Sequence, residues 1–320
     1  MKPRILIVDS HKGYAHDAVT NMHLRNSMIL AEYLNATLVT TNPQSHLQAK
    51  GVWDKIIFVH ASYYSFVNKR FLDESPKADL FFVTNEYTIT PPTLLLLAVK
   101  EGRSYSVIAN FHKEHSDMKL SENNRNAISS WNMLNLNALI YEDPATNVPE
   151  ELGFFNNKRP CVYYGTYRPD REIYFKKYFR KWMIVSTSNK NQHKFTKQGI
   201  HATFIDKLQW VGTEQRLSGF ASSLYIEDTT THANYNHLAN RFYEALSHGI
   251  PCFFDMSCRK TVRKSGWNVE RFWFVDSEKE LKEKAYEVLA SGKSYPKEFY
   301  EQAAAERKSI LEQFKSIILK

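Results

Sequence analysis

The sequence predicts an α/β protein built as two doubly wound, mostly parallel sheets in series. Three observations carry this prediction. Short apolar runs alternate with helix-length stretches from the first residues onward; the alternation lapses into Pro, Asn and Gly between Asp143 and Pro160; it restarts at Cys161 and continues to a helical end. Runs that are apolar on both faces belong in sheets covered by helices on both sides, the usual setting of parallel strands. A length of 320 residues suits two domains, because single cores stop growing near ~250 residues. The lapse places the expected boundary at 152/153.

Ile5-Leu6-Ile7-Val8 opens the first sheet as a fully buried strand, followed by a loop from Asp9 to His16 and a helix through about Tyr33. Ala36–Thr41, Lys55–Val59, Leu80–Val83, Tyr105–Phe111 and Ala138–Tyr141 read as its further strands. Thr93–Lys100 reads as a helix stopped by Gly102. In the second half the strand-like runs are Cys161–Tyr164, Met183–Val185, Ala202–Ile205, Leu224–Ile226, Pro251–Phe254 and Phe272–Val275. A helix is expected over about Asp170–Lys181, and two more start near Glu278 and Pro296.

Composition excludes several classes. With 43% hydrophobic and 24% charged residues the chain has the balance of a soluble globular protein. Its longest purely apolar run, Leu94–Val99, is far short of the ~20 residues that cross a bilayer. Cys161, Cys252 and Cys258 are odd in number and lack metal or redox spacing, which predicts a reducing, cytoplasmic compartment. The net charge of +8 is localised: residues 151–200 hold 11 basic and 3 acidic side chains, and the remaining chain balances. A neutral body with one basic stretch points to a phosphate site or a polyanionic partner; a solvated lysine-rich helix face is the plain alternative.

The familiar phosphate motifs are missing. No G-x-G-x-x-G follows the first strand, and neither a P-loop, a D-x-D nor a zinc-type His/Cys spacing occurs. Attention therefore falls on Ser223–Asp255: a strand, a polar loop with Glu227, Asp228 and His232, then a helix carrying His237, Asn240, Arg241 and Glu244, ended by Gly249. Arg241 and Glu244 share a helix face near its start, where phosphate is favoured and a carboxylate can accept two ribose hydroxyls. The same spacing also fits an intrahelical Arg–Glu pair. A second basic turn, Tyr163 to Arg171, leads from a strand through Gly165 into a helix opened by Pro169. Two histidines and two carboxylates crowd His112–Asp117 after the strand ending near Phe111, the position from which such loops reach a crevice. Gly13 allows close backbone approach in the loop after the first strand.

Glu244-Ala245-Leu246-Ser247-His248-Gly249-Ile250-Pro251-Cys252 resembles the E-A-x-x-x-G-x-P-V segment of GT-B glycosyltransferases. The resemblance implies two Rossmann-like domains facing a central cleft, with a C-terminal helix, about 304–320, crossing back to the first domain. It implies that Glu244 binds the ribose of a nucleotide-sugar donor, with His237, Asn240 and Arg241 beside it. Arg168, Arg171 and Lys190 would neutralise the donor diphosphate without a metal ion, with Gly13, Gly165, Thr166, Thr187 and Ser188 lining the donor. Where retaining members often carry a further glutamate this sequence has Asn236, leaving the donor-sugar contact to Glu227, Asp228 or the backbone. The His112–Asp117 segment resembles the His/Asp loop of the family, including its phage members, with Glu114 and His115 as the counterparts. His16 and Asp17 are alternative bases.

Two features tilt the acceptor toward DNA. Basic residues interleave with aromatics in Tyr174–Trp182, giving Lys176, Lys177, Tyr178, Arg180 and Lys181 as phosphate or base contacts; Arg259, Lys260 and Arg263 form a second cluster. The aromatic-rich, glycine-poor chain also resembles phage enzymes that glycosylate hydroxymethyl pyrimidines in DNA. That resemblance implies transfer from a UDP-sugar to a flipped-out 5-hydroxymethyl base of double-stranded DNA. It implies a retaining, metal-independent reaction by a monomer in the host cytoplasm, away from any membrane. The competing readings are a transferase acting on a surface glycan or lipid-linked sugar, and a non-catalytic DNA-binding protein on the same fold.

Overall fold

The computed structural model describes residues 2–9, 22–40, 45, 49–59, 66–84, 99, 101–110, 131–147, 159–208, 217–228 and 238–320. They fall into two compact units. One takes the described residues up to Leu139 together with Arg307–Lys320, the other Ile140–Glu306.

The first unit is built on β1 (Ile5–Asp9), β2 (Thr37–Val39), β3 (Lys55–Val59), β4 (Asp79–Thr84), β5 (Tyr105–Ala109) and β6 (Asn132–Met133). They pair in the order β2-β1-β3-β4-β5-β6, all parallel. Every residue of β1 and β3 is buried, which explains why both read as unbroken apolar runs. Asp9 and Lys55 are the exceptions, and the Lys55 ammonium reaches Asp79 at 3.0 Å. Leu6, Val8, Ile56, Phe58, Leu80 and Phe82 form one core face with Phe71 and Leu72 of α2 (Phe66–Glu74). α1 (Met22–Leu34) packs on β1 and β2, and its buried Ser27 donates to the Asp9 carboxylate at 2.6 Å.

One expected strand is corrected. Ala138–Tyr141 is not extended; Leu136–Ile140 winds into a 3-10 helix, and the sixth strand lies earlier, at Asn132–Met133. A four-residue apolar run reads the same in a strand and in a buried helical turn. Here side chains decide, as Asn26 donates to the Leu136 carbonyl at 2.9 Å and Asn110 to the Asn137 side chain at 3.0 Å. The expected helix at Thr93–Lys100 lies outside the described residues apart from Val99.

The second unit has β7 (Val162–Tyr164), β8 (Ile184–Ser186), β9 (Thr203–Ile205), β10 (Ser223–Tyr225), β11 (Cys252–Asp255) and β12 (Phe274–Val275), ordered β12-β11-β10-β7-β8-β9 and parallel throughout. From β7 the chain winds outward through β8 to β9, then returns to the other side of β7 as β10. The strand order reverses between β7 and β10, and in such sheets the crevice beyond the carboxyl ends at the reversal is where ligands bind. Besides a single helical turn at Pro144–Asn147, the helices are α3 (Glu172–Tyr178), α4 (Asn189–Lys197), α5 (Asn240–Ser247), α6 (Arg259–Lys264), α7 (Glu278–Ser291) and α8 (Lys297–Leu319). α3 stops earlier than the sequence pattern suggests, because Phe179 turns extended. Ser277 caps α7 by accepting from the Glu280 amide, and left-handed Gly292 ends it. α8 starts in the second unit, and from Arg307 its residues belong to the first, where Arg307 donates to the Leu139 carbonyl at 3.1 Å.

The core of the second unit is aromatic. Phe175 meets Phe195 at 4.9 Å and Phe179 at 5.1 Å between ring centroids, and Tyr163 meets Phe179 at 5.2 Å. Such contacts contribute about 0.5–1.5 kcal/mol each beyond area burial. All three cysteines are buried in this unit, and burial pushes the thiols of Cys161 and Cys252 up to about 12. No helix among the described residues is long and apolar enough to cross a membrane.

Candidate donor-binding site

The β7/β10 crevice begins at Gly165, which follows β7 with φ +152°. A Cβ there would lie 3.2 Å from the Tyr163 hydroxyl and 3.3 Å from Arg241 Nη1, so the turn needs a residue without one. Thr166 and Arg168 follow on the surface, and Pro169–Arg171 form a 3-10 turn that delivers α3.

Opposite this turn, β10 runs into Ile226, Glu227 and Asp228, all buried. Two adjacent carboxylates in the interior demand counter-charges, and three arginines supply them. Arg171 is buried; its Nη2 donates to Glu227 Oε2 and, at 3.2 Å, to Asp228 Oδ2. Arg241 Nη2 donates to Glu227 Oε1 at 2.5 Å and to the Ile226 carbonyl at 3.3 Å. Each oxygen of Glu227 thus holds one guanidinium. Arg168, 47% exposed, grips Asp170 with two hydrogen bonds and reaches Asp228 at 3.4 Å. Burial alone would lower the Arg241 pKa, but Glu227, Tyr163 and Tyr225 around it outweigh burial and raise it. The Arg241 guanidinium also sits over the rings of Tyr163 and Tyr225, at 5.8 and 5.7 Å.

α5 starts at the same end of the sheet, positioned by the Tyr225 hydroxyl, which accepts from the Ala239 amide at 2.8 Å, and by the Tyr164 hydroxyl, which donates to the Arg241 carbonyl at 2.8 Å. Glu244 is fully buried one turn on and accepts from Asn240 Nδ2 at 3.0 Å. The intrahelical Arg241–Glu244 pair that the spacing allowed is therefore not formed. Arg241 turns to β10, and Glu244 has Asn240 instead.

The structure thus brings Gly165, Arg168, Arg171, Asn240, Arg241 and Glu244 to one end of one sheet. Thr187 follows β8, its hydroxyl buried and without a hydrogen-bond partner among the described residues. Ser188 precedes α4 and accepts from Asn191 Nδ2 at 2.9 Å, while Lys190 is exposed in the first turn. Gly13, His16, Asp17, Glu114, His115 and His237 lie outside the described residues. Sequence reasoning missed the hub: Glu227 and Asp228 appeared there only as stand-ins for a sugar contact. Their signal was the placement of two carboxylates directly after an apolar strand, where burial would force partners on them. Among the described residues no group of three His, Cys, Asp or Glu side chains is arranged to hold a metal ion.

The residues expected to meet nucleic acid divide. Tyr178 is fully buried, its hydroxyl donating to Asp255 and to the Val275 carbonyl, so its ring is not available to stack on a base. Lys177 is engaged by Asp255 at 2.9 Å and Asp276 at 2.6 Å. These two are structural, and the apparent basic–aromatic stripe arose because the buried face of α3 is itself aromatic. Lys176 pairs with Glu172 at 2.5 Å, and Arg180 donates to the Lys176 and Phe179 carbonyls. Lys181, Arg259, Lys260 and Arg263 are exposed.

No protein-family profile and no curated protein matches the sequence. Solved structures do. An alpha-glucosyltransferase in complex with UDP-glucose and DNA containing an abasic site superposes with a TM-score of 0.56 at 11% identity, over 99% of both chains. A glycosyltransferase involved in avilamycin A biosynthesis gives a TM-score of 0.42 at 11% identity, over 97% of this chain and 98% of its own. The first likeness shows the fold: two doubly wound parallel sheets of the GT-B kind, as the sequence predicts.

Proposed function

We propose that the protein is a glycosyltransferase that takes the sugar of a UDP-sugar and attaches it to a 5-hydroxymethyl pyrimidine in double-stranded DNA. One observation carries the donor half: the strand-order reversal of the second sheet is lined by Gly165, three arginines and the start of α5 with Glu244. An anionic nucleotide suits that end, because helix N-termini and fixed guanidinium groups stabilise phosphate without reorganising. Arg168 is the partly exposed arginine of the cluster, so it is the one to exchange its surface carboxylate for a leaving diphosphate. Glu244 is the ribose ligand on this reading. The acceptor half is supported by the fold shared with an alpha-glucosyltransferase whose complex holds UDP-glucose and DNA. On the same reading the reaction retains the anomeric configuration, and Glu114 and His115, or else His16 and Asp17, serve the acceptor hydroxyl.

Mass spectrometry of hydroxymethylated duplex DNA incubated with the protein and a panel of UDP-sugars tests this directly. A hexose or pentose adduct on the modified base, absent on unmodified DNA and with Glu244→Ala, is the expected result. Donor turnover without a DNA adduct would move the acceptor to a glycan, and DNA binding without donor turnover would leave only a binding protein.

A further inference from the structure

The second unit carries a row of cations that starts at Lys190, beside the candidate donor site, and continues past it. From Ile173 to Ile205 the sequence contains no acidic residue. α4 lies inside this stretch and is anchored by Phe195, fully buried in the aromatic core. Lys190, His193, Lys194 and Lys197 stand at i, i+3, i+4 and i+7, so they share the stripe turned away from Phe195. All four are exposed, and the ammonium groups of Lys190, Lys194 and Lys197 have no ion pair or hydrogen bond among the described residues. Lys176 and Lys177 on α3, by contrast, are neutralised by Glu172, Asp255 and Asp276. Three unpaired lysines of one sign on two turns repel one another, and no carboxylate of α4 offsets them.

The placement of α4 gives the row a direction. The helix follows β8, so Lys190 stands at the crevice end of the sheet, and Lys197 lies seven residues on, ~10 Å further along the axis. We propose that this face of α4 is a phosphate track for duplex DNA, leading away from the lip of the donor crevice. This assignment rests on the DNA-acceptor reading above and adds the surface that holds the polymer. Lysines act there as point charges and carry no sequence information, so the track positions DNA and leaves base choice to the crevice.

The test is fluorescence anisotropy with a labelled duplex containing 5-hydroxymethylcytosine, between 50 and 200 mM salt, for the wild type and Lys194→Ala/Lys197→Ala. Each lost phosphate contact removes about 0.9 from the slope of log affinity against log salt. The double variant should therefore be less steep by about 1.8, equally on modified and unmodified duplexes, with UDP-sugar affinity and thermal melting at wild-type values. If the wild type glycosylates DNA but the variant keeps the full slope, the track is wrong and the function stands. If the wild type binds no duplex while still turning over a UDP-sugar, the DNA reading falls and the track with it.

Discussion

In the first unit β1, β3, β4 and β5 pair over five consecutive residues at each junction, and the core between them is apolar. In the second unit β7, β8, β9 and β10 are only three residues long, and the ends of β7 and β10 are ringed by three arginines and three carboxylates. Similar doubly wound sheets are thus held by different means. Long ladders and a continuous apolar core suffice where the buried charges are scattered, Asp9 met by Ser27 and Lys55 by Asp79. Short strands, stacked rings and a buried ion cluster appear where one end of the sheet must present fixed charge. Breaking a buried ion pair by removing one partner costs more than the pair contributes as a whole, since it strands the other charge.

That contrast can be broken in three ways, in descending size. Glu227→Ala leaves Arg171 and Arg241 facing each other without their shared counter-ion. It should destabilise the second unit by roughly 3–5 kcal/mol in urea unfolding. Glu227→Gln should keep the shape but loosen both arginines and weaken UDP-sugar binding by calorimetry. If Glu227→Ala unfolds at the wild-type midpoint, the cluster is not what holds the short strands. Next, Gly165→Ala places a Cβ 3.2–3.3 Å from Tyr163 and Arg241 at a backbone angle that L-residues avoid. The expected cost is about 1–3 kcal/mol, together with weaker donor binding; Gly102→Ala in the first unit, where a Cβ meets nothing within 4 Å, should leave the donor site untouched. The smallest effect is acid sensitivity. Burial would raise the Asp255 pKa, but hydrogen bonds from Ser257, Tyr178 and Lys177 outweigh it and hold it below the ordinary 3.8. Its stabilisation is complete above that value and is lost as pH falls through the depressed one. Melting curves from pH 5 to pH 2 should show the second unit losing stability more steeply than in Asp255→Asn.

The fold was legible because most strands of both sheets are buried on both faces, and such runs need no partner to be recognised. The exception, Ala138–Tyr141, is a run whose conformation depends on Asn26 and Asn110, residues far away in sequence. The candidate site was half legible. Gly165, Arg241 and Glu244 stand out by local spacing, but the link from Arg171 to Glu227 spans 56 residues and exists only once β10 has come to lie beside β7. The same limit explains Tyr178 and Lys177. Alternating Lys and aromatic residues look like a nucleic-acid face until Asp255 and Asp276, 78 and 99 residues beyond Lys177, arrive to claim them. The unpaired stripe on α4 is the reverse case, a local pattern that the fold leaves untouched.

The three cysteines give the second unit a built-in clock. All lie inside it, and with protonated thiols shut away from solvent they cannot meet an alkylating reagent until the sheet opens. The first unit, up to Leu139 and from Arg307 on, has none. The rate of thiol labelling in the native protein therefore times the breathing of the second sheet alone. On the proposed function, a nucleotide-sugar held across β7, β10 and α5 should slow that clock without any engineered probe.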